Sequence, residues 1–119
     1  MEGFASFNSF NRIPWERKAY TLGADMHWPM GRSDSPYILV IKRGYRVDVT
    51  APRWAEKFID VHDHDLLAAA AVHDYLLEMG YDKAFASAEF RRCLRARGFS
   101  SIEAWTAFFL TLIWTTLGD

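Results

Sequence analysis

The sequence predicts an α+β fold: a small N-terminal antiparallel sheet of about three strands, then a short helix, an antiparallel helical hairpin and a third, very apolar C-terminal helix. Three observations carry this. Short runs of β-branched and aromatic residues, separated by Gly, Pro and Ser, fill the first half. Helical periodicity punctuated by Asp, Ser and Gly fills the second. A length of 119 residues, half of them apolar, suffices for one core and is too short for two independent ones. The expected organisation is an aromatic arm over 1–14 and one domain over 15–119, with the sheet and short helix in 15–60 and the helical part in 61–119.

The arm sets Phe4, Phe7 and Phe10 three apart among Gly, Ser and Asn and ends at Ile13-Pro14. Its small polar residues disfavour an isolated helix, while three rings need a surface to lie on. Two readings stay open: a strap on its own domain, or an arm that packs onto a neighbour, with Phe4, Phe7 and Phe10 as interface residues.

Strands are expected at Lys18–Leu22, Tyr37–Ile41 and Tyr45–Val49, with turns at Trp28-Pro29-Met30-Gly31, at Arg32–Pro36 and at Arg43-Gly44. Thr50-Ala51-Pro52 reads as a helix start, since Pro is tolerated in the first turn, and Arg53–Ile59 as the short helix.

In the helical half, Asp65 as N-cap and Gly80 as C-cap enclose Leu66–Met79, and Asp82 and Gly98 enclose Lys83–Arg97. The two or three residues between these helices imply an antiparallel hairpin. Ser100 and Glu103 have capping-box spacing ahead of Ile102–Leu117. That last helix is apolar nearly all round, so one face is expected to fill the core and another, with Trp105, Phe108 and Trp114, to meet a partner.

Composition narrows the function classes. A net charge of −1 provides no global field for gripping nucleic acid. The charge-free stretch Ala104–Leu117 is too short for a stable membrane span, and Met1-Glu2-Gly3-Phe4 does not open like a signal peptide. A lone Cys93 excludes an internally stapled scaffold and suits a reducing compartment, or a particle assembled inside a cell. Nineteen aromatic rings are a surplus for so small an interior, which suggests docking surface.

Candidate chemistry sits on the hairpin. His73 shares a helix face with Leu66, Ala69, Ala70, Leu76 and Leu77, and so points inward. It lies seven residues before Gly80 and Ser87 lies seven after, which sets the two opposite each other. An inward imidazole facing a polar residue is how a general base is oriented; it is equally how a core histidine is satisfied. A second cluster, Asp60-Val61-His62-Asp63-His64-Asp65, has imidazoles and carboxylates suited to zinc, with Asp48 able to join from a strand end or to cap the Pro52 helix. The basic residues Lys83, Arg91, Arg92, Arg95 and Arg97 read as a solvated helix face or as a surface for an acidic partner.

Gly44-Tyr45-Arg46-Val47-Asp48-Val49-Thr50-Ala51-Pro52-Arg53-Trp54, then Ala69-Ala70-Ala71-Val72-His73-Asp74-Tyr75-Leu76, then Ala86-Ser87-Ala88-Glu89-Phe90 with Cys93-Leu94, resemble a small phage and prophage domain family of uncharacterised function. The resemblance covers roughly residues 37–98. Thr50, Leu77 and Ser87 depart from the Ser, Tyr and Asp of the family pattern. The helical motifs in turn resemble the His-Asp helix pair of secreted calcium-dependent phospholipases. That resemblance implies His73 as base and Asp74 as calcium ligand, and it places the supporting Tyr at Leu77 and the orienting carboxylate at Ser87, so both supports are missing. A Ser hydroxyl cannot stabilise an imidazolium with a full charge, and no Gly-rich carbonyl loop completes a calcium site.

Two expectations follow. The first is a virion component, of the tail or another part of the particle, found in the virion or in host cytoplasm during assembly. It would dock on other virion proteins or on itself, with no cofactor and a degenerate site. The second is a small calcium- or zinc-dependent hydrolase using His73 and Asp74, assisted by Ser87, or a metal held among Asp48, His62, His64 and Asp74.

Overall fold

A computed structural model describes residues 4–16, 19–48 and 63–117 of the chain, and within these the side chains of Asp48, Thr111 and 114–117 are not described. The expected helix Arg53–Ile59, its start at Thr50-Ala51-Pro52, and His62 lie outside the described residues.

The fold is mixed α+β, an antiparallel sheet of three strands followed by three helices. After a 3-10 turn at Phe4–Ser6, the strands are β1 (Phe10–Arg12), β2 (Ala19–Leu22), β3 (Met26–Pro29), β4 (Ile38–Ile41) and β5 (Arg46–Asp48). The helices are α1 (His64–Glu78), α2 (Lys83–Ala96) and α3 (Ser101–Leu117).

The partners in the sheet differ from those the sequence suggests. The three strands run β1-β2-β5, all antiparallel, with Tyr20 opposite both Arg12 and Val47. The segment Tyr37–Ile41 belongs instead to a separate hairpin with β3, in the register Met26↔Ile41 to Pro29↔Ile38. Two readings are corrected here. Trp28-Pro29 is the end of a strand rather than a turn, because Pro at a strand terminus forfeits little of the ladder and Trp28 gains burial by pairing. The arm, read as irregular, contributes β1. Asp25 fastens the open end of the β3–β4 hairpin, its carboxylate accepting from the Arg43 backbone N–H at 2.8 Å. That bond, with Lys42 nearby, holds the Asp25 carboxyl below its ordinary value.

α1 is the central element. Every residue from Leu66 to His73 is buried, because the helix packs on α2 along one side and on β4 and β5 along the other. A helix covered all round needs small residues where neighbours press closest, and Ala68–Ala71 supply them. Its N-cap is Asp63, which accepts from the Asp65 N–H at 2.8 Å; the helix therefore starts two residues before the Asp65 boundary. Gly80, at φ +92°, closes the helix in the left-handed conformation that a Cβ disfavours.

α2 opens on Asp82, whose carboxylate accepts from the Phe85 N–H. α3 opens on the reciprocal capping box: Ser100 N–H donates to Glu103 Oε1 at 3.0 Å, and Glu103 N–H donates to Ser100 Oγ at 3.2 Å. α3 rests on α2 through Ala104 and Ala107, which are buried.

The arm lies on its own domain. Phe4 and Phe7 are in the core, with the Phe4 ring 4.6 Å from Trp28 and the Phe7 ring edge-on to Phe10 at 5.4 Å. Of the two readings of the arm, Phe4 and Phe7 take the strap. Phe10 is half-buried against His64, with ring centroids 5.1 Å apart. The strap runs so close to the β2–β3 connection that a Cβ on Gly23 would lie 2.3 Å from Ser9 Oγ. No helix among the described residues is long and apolar enough to cross a membrane.

Candidate functional site

The hairpin brings His73 to the seam between α1 and α2, as the face periodicity requires. Its ring meets Phe90 of α2 edge-on at 5.8 Å. Nδ1 lies 3.5 Å from Asp74 Oδ1, the outer limit of a hydrogen bond. Nε2 is buried without a protein partner, and so is Ser87 Oγ. The bond from His73 to Ser87 that would satisfy a structural histidine is therefore not made, although both residues are buried. His73 is 5% exposed and Ser87 is 0% exposed. A general base must come within about 3 Å of a substrate proton or of the water it deprotonates, and this imidazole is buried in the seam between the two helices.

Asp74 is also close enough for its charge to act on Tyr45. Tyr45 stands edge-on to Tyr75 at 5.4 Å and is hydrogen-bonded to Glu78. Burial, reinforced by the negative charges of Asp74 and Glu78, raises the Tyr45 phenol well above its usual value of 10.0. Leu77, at the position of the supporting Tyr in the phospholipase pattern, is half-buried against the core.

Of the four proposed metal ligands, His62 and the side chain of Asp48 lie outside the described residues, and the other two, His64 and Asp74, stand apart on α1. His64 opens α1 and has its Nδ1 against Asn8 Oδ1 of the strap. Asp74 is ten residues further along the same helix, about 15 Å by the helical rise, too far to share an ion with it. Asp48 pairs by its backbone with Ala19 at the end of β5. Among the described residues, no three His, Cys, Asp or Glu side chains are grouped to hold a metal.

Two charged clusters that sequence reasoning missed are better built than the His-Asp pair. In the first, Glu89 is 2% exposed. Its Oε1 accepts from Trp28 Nε1 at 3.2 Å and from the Gly31 N–H at 2.9 Å, and its Oε2 accepts from Arg92 Nε at 3.1 Å. Arg92 also donates to the Pro29 carbonyl at 2.8 Å and stacks 4.6 Å over the Trp28 ring. In the second cluster, Arg97 donates to Asp65 Oδ1 at 2.8 Å and to the Phe4 carbonyl at 2.8 Å, with the Phe7 carbonyl as a third acceptor. Arg92 and Arg97 are thus internal ties rather than part of a solvated basic face. A signal existed for Glu89: it sits on the helical face of Ala86, Phe90 and Cys93, and a charge on an apolar stripe needs a buried partner.

Of the interface residues expected on α3, Trp105 is exposed, Phe108 is half-buried, and the side chain of Trp114 lies outside the described residues. Trp105 stacks on Phe109 at 5.9 Å and carries the Arg91 guanidinium 4.4 Å from its ring.

A family model described as "Protein of unknown function (DUF1353)" matches residues 25–110, well over half of the chain. The chain belongs to this family. No curated protein and no solved structure matches it significantly. The DUF1353 segment runs from the residue before β3 into α3, and encloses the 37–98 stretch that carries the sequence motifs. The Glu89 cluster and the His73-Asp74-Ser87 group lie wholly inside it. The strap lies outside, so the DUF1353 segment is tied to its N-terminal extension through Arg97.

Proposed function

We propose that this DUF1353 chain is a phage- or prophage-encoded structural component, part of a tail or another piece of a virion, that works by docking on other proteins. The supporting observation is the closure of the His-Asp site. His73 is 5% exposed, its orienting position holds a buried Ser87 with no bond to the imidazole, and the charge of the neighbouring Asp74 acts on Tyr45. A base buried in this way is poorly placed to activate water against a substrate. The phage setting is the one that the motif resemblance implies, and the apolar side chains left open on α3 provide a surface for docking.

Two measurements test this reading. Mass spectrometry of purified particles from the encoding phage or induced prophage is expected to find the chain, and His73→Ala is expected to leave its incorporation unchanged. Hydrolysis of phospholipid or cell-envelope substrates, with calcium or zinc added, is expected to stay at the blank rate. Turnover by the wild-type protein that disappears in His73→Ala, with incorporation intact, would overturn the proposal in favour of a metal-dependent hydrolase.

A further inference from the structure

Arg97 is a cation with almost no access to solvent, its side chain being 4% exposed. Asp65 accepts from its Nε, and its Nη1 donates to the Phe4 and Phe7 carbonyls of the strap. The rings of the same two residues are sunk beside it, Phe4 against Trp28 and Phe7 edge-on to Phe10. Next along the strap, Asn8 Oδ1 meets His64 Nδ1. The groove between the start of α1 and the end of α2 therefore reads a specific ligand: two Phe three apart, with both carbonyls turned to one guanidinium. It cannot stand empty, because removal of the strap would leave a buried cation with donors unpaired and Trp28 without the ring that packs on it. Any segment that replaces the strap must offer the same rings and carbonyls, and the strap of another copy offers all of them.

We propose that two copies of this chain exchange their straps, each filling the groove of the other, about a hinge at Ile13-Pro14-Trp15-Glu16. Exchange of an identical element keeps every contact of the single chain, so only the hinge differs between the two forms. β1 travels with the strap and pairs with β2 of the second copy in the same register. The hinge carries two observations that favour its opening. It is a tight turn, Glu16 N–H donating to the Ile13 carbonyl at 3.1 Å with Pro14 in second place. Pro holds its own φ and pushes the residue before it toward extended backbone, so Ile13-Pro14 is suited to the straightened form as well as to the turn. Trp15, third in the turn, is 83% exposed, more than any other large apolar side chain among the described residues. Straightened hinges of two copies lie side by side, a contact that a single chain cannot make, and it buries a ring that otherwise stands in water. The DUF1353 segment begins at residue 25 and contains the Trp28, Asp65 and Arg97 side of the groove, while the exchanged element lies outside it. Exchange makes a second copy the first partner of the docking reading and rests on that reading for its use in assembly.

A tethered strap competes at an effective concentration on the order of 1 mM, so the exchanged dimer is expected to grow as the full chain is concentrated toward that value. Sedimentation velocity measures its share. Cross-linking identifies its geometry, with the native Cys93 buried and spared. Full-length Asn8→Cys is mixed with full-length His64→Cys and treated with a short bismaleimide. Because the side chains of residues 8 and 64 meet, a linked heterodimer is expected. The double variant, diluted, is expected to link within one chain, which shows that the reagent spans the pair. Trp15→Ser should lower the heterodimer yield at least tenfold, as loss of a central aromatic anchor does, while circular dichroism stays native because the ring is exposed in the single chain. A wild-type chain that sediments as a monomer throughout, internal linking of the double variant with no linked heterodimer, or a yield untouched by Trp15→Ser each overturns the proposal. None of these outcomes bears on particle incorporation, whereas His73-dependent hydrolysis would sink the docking reading and leave the exchange standing.

Discussion

Replacing Glu89 is the most searching perturbation of this fold, because one carboxylate joins α2, β3 and the turn that follows it. Glu89→Ala leaves the Trp28 indole N–H and the Gly31 N–H without their acceptor and strips the charge partner from Arg92. Breaking a buried, hydrogen-bonded ion pair from one side costs about 3–5 kcal/mol, a large part of the roughly 5–15 kcal/mol that holds a domain together. Arg92 is 23% exposed at its side chain and keeps the Pro29 carbonyl, so the lower half of that range is expected. Glu89→Gln retains an amide oxygen for Trp28 and Gly31 but turns its NH2, a donor, toward the Arg92 Nε–H, so it loses both the charge and the hydrogen bond there and should cost about 1.5–3 kcal/mol, the worth of a hydrogen bond to a charged group. Urea unfolding followed by far-ultraviolet circular dichroism measures both, and Arg92→Gln combined with Glu89→Gln closes a double-mutant cycle. Two results would refute the reasoning: Glu89→Ala costing under about 1 kcal/mol, or Glu89→Gln matching Glu89→Ala, since the second would mean that the neutral acceptor contributes nothing.

Arg97→Ala should release the strap: amide exchange at Phe7, whose N–H bonds the Phe4 carbonyl, is expected to rise far more than exchange in α1, and stability should fall by about 2–4 kcal/mol. Ser87→Ala removes a buried hydroxyl that makes no bond, so thermal unfolding should show it neutral or stabilising by up to about 1 kcal/mol; a loss above that would mean that the hydroxyl has a partner. Tyr45 has a folded-state pKa raised above 10.0, so its contribution is complete below pH 10 and is lost as pH rises toward the folded value. Phenolate absorbance should therefore show one of the five tyrosines titrating late, and Tyr45→Phe should remove that step. Glu103 is held below its ordinary 4.5 by the Ser100 N–H, so the capping box should act fully above that pH and fail as pH falls through the lowered value; Glu103→Gln should flatten that acid limb of a helicity titration.

Legibility in the sequence followed locality. The Asp82 cap, the Gly80 and Gly98 stops and the Ser100-Glu103 box join residues within a few positions of each other, so composition and spacing reveal them, and the helices begin and end within two residues of those marks. The inward face of His73 was equally readable, because helical periodicity is a local property. What His73 would find there was not. Whether Ser87 reaches the imidazole depends on how closely two helices pack, and both atoms are left without a bond. The metal cluster had the opposite fate: His62 lies outside the described residues, while His64 and Asp74, alike in chemistry, are separated by the length of the helix that carries them both.

The sequence by itself determined the fold class, the helical boundaries and the presence of more aromatic rings than one small core needs. Only the tertiary structure decided where the rings go. Phe4 and Phe7 enter the core because Arg97, more than 85 residues away, takes their carbonyls. Trp28 becomes strand rather than turn because β4 pairs with it and Glu89 accepts its indole proton. Among the described residues the rings that remain open include Trp15 and Tyr37 in the first half of the chain and Trp105 and Phe109 on α3, which buries Ala104 and Ala107 instead. Pairing and burial between distant segments depend on the whole chain's packing, which no local pattern encodes.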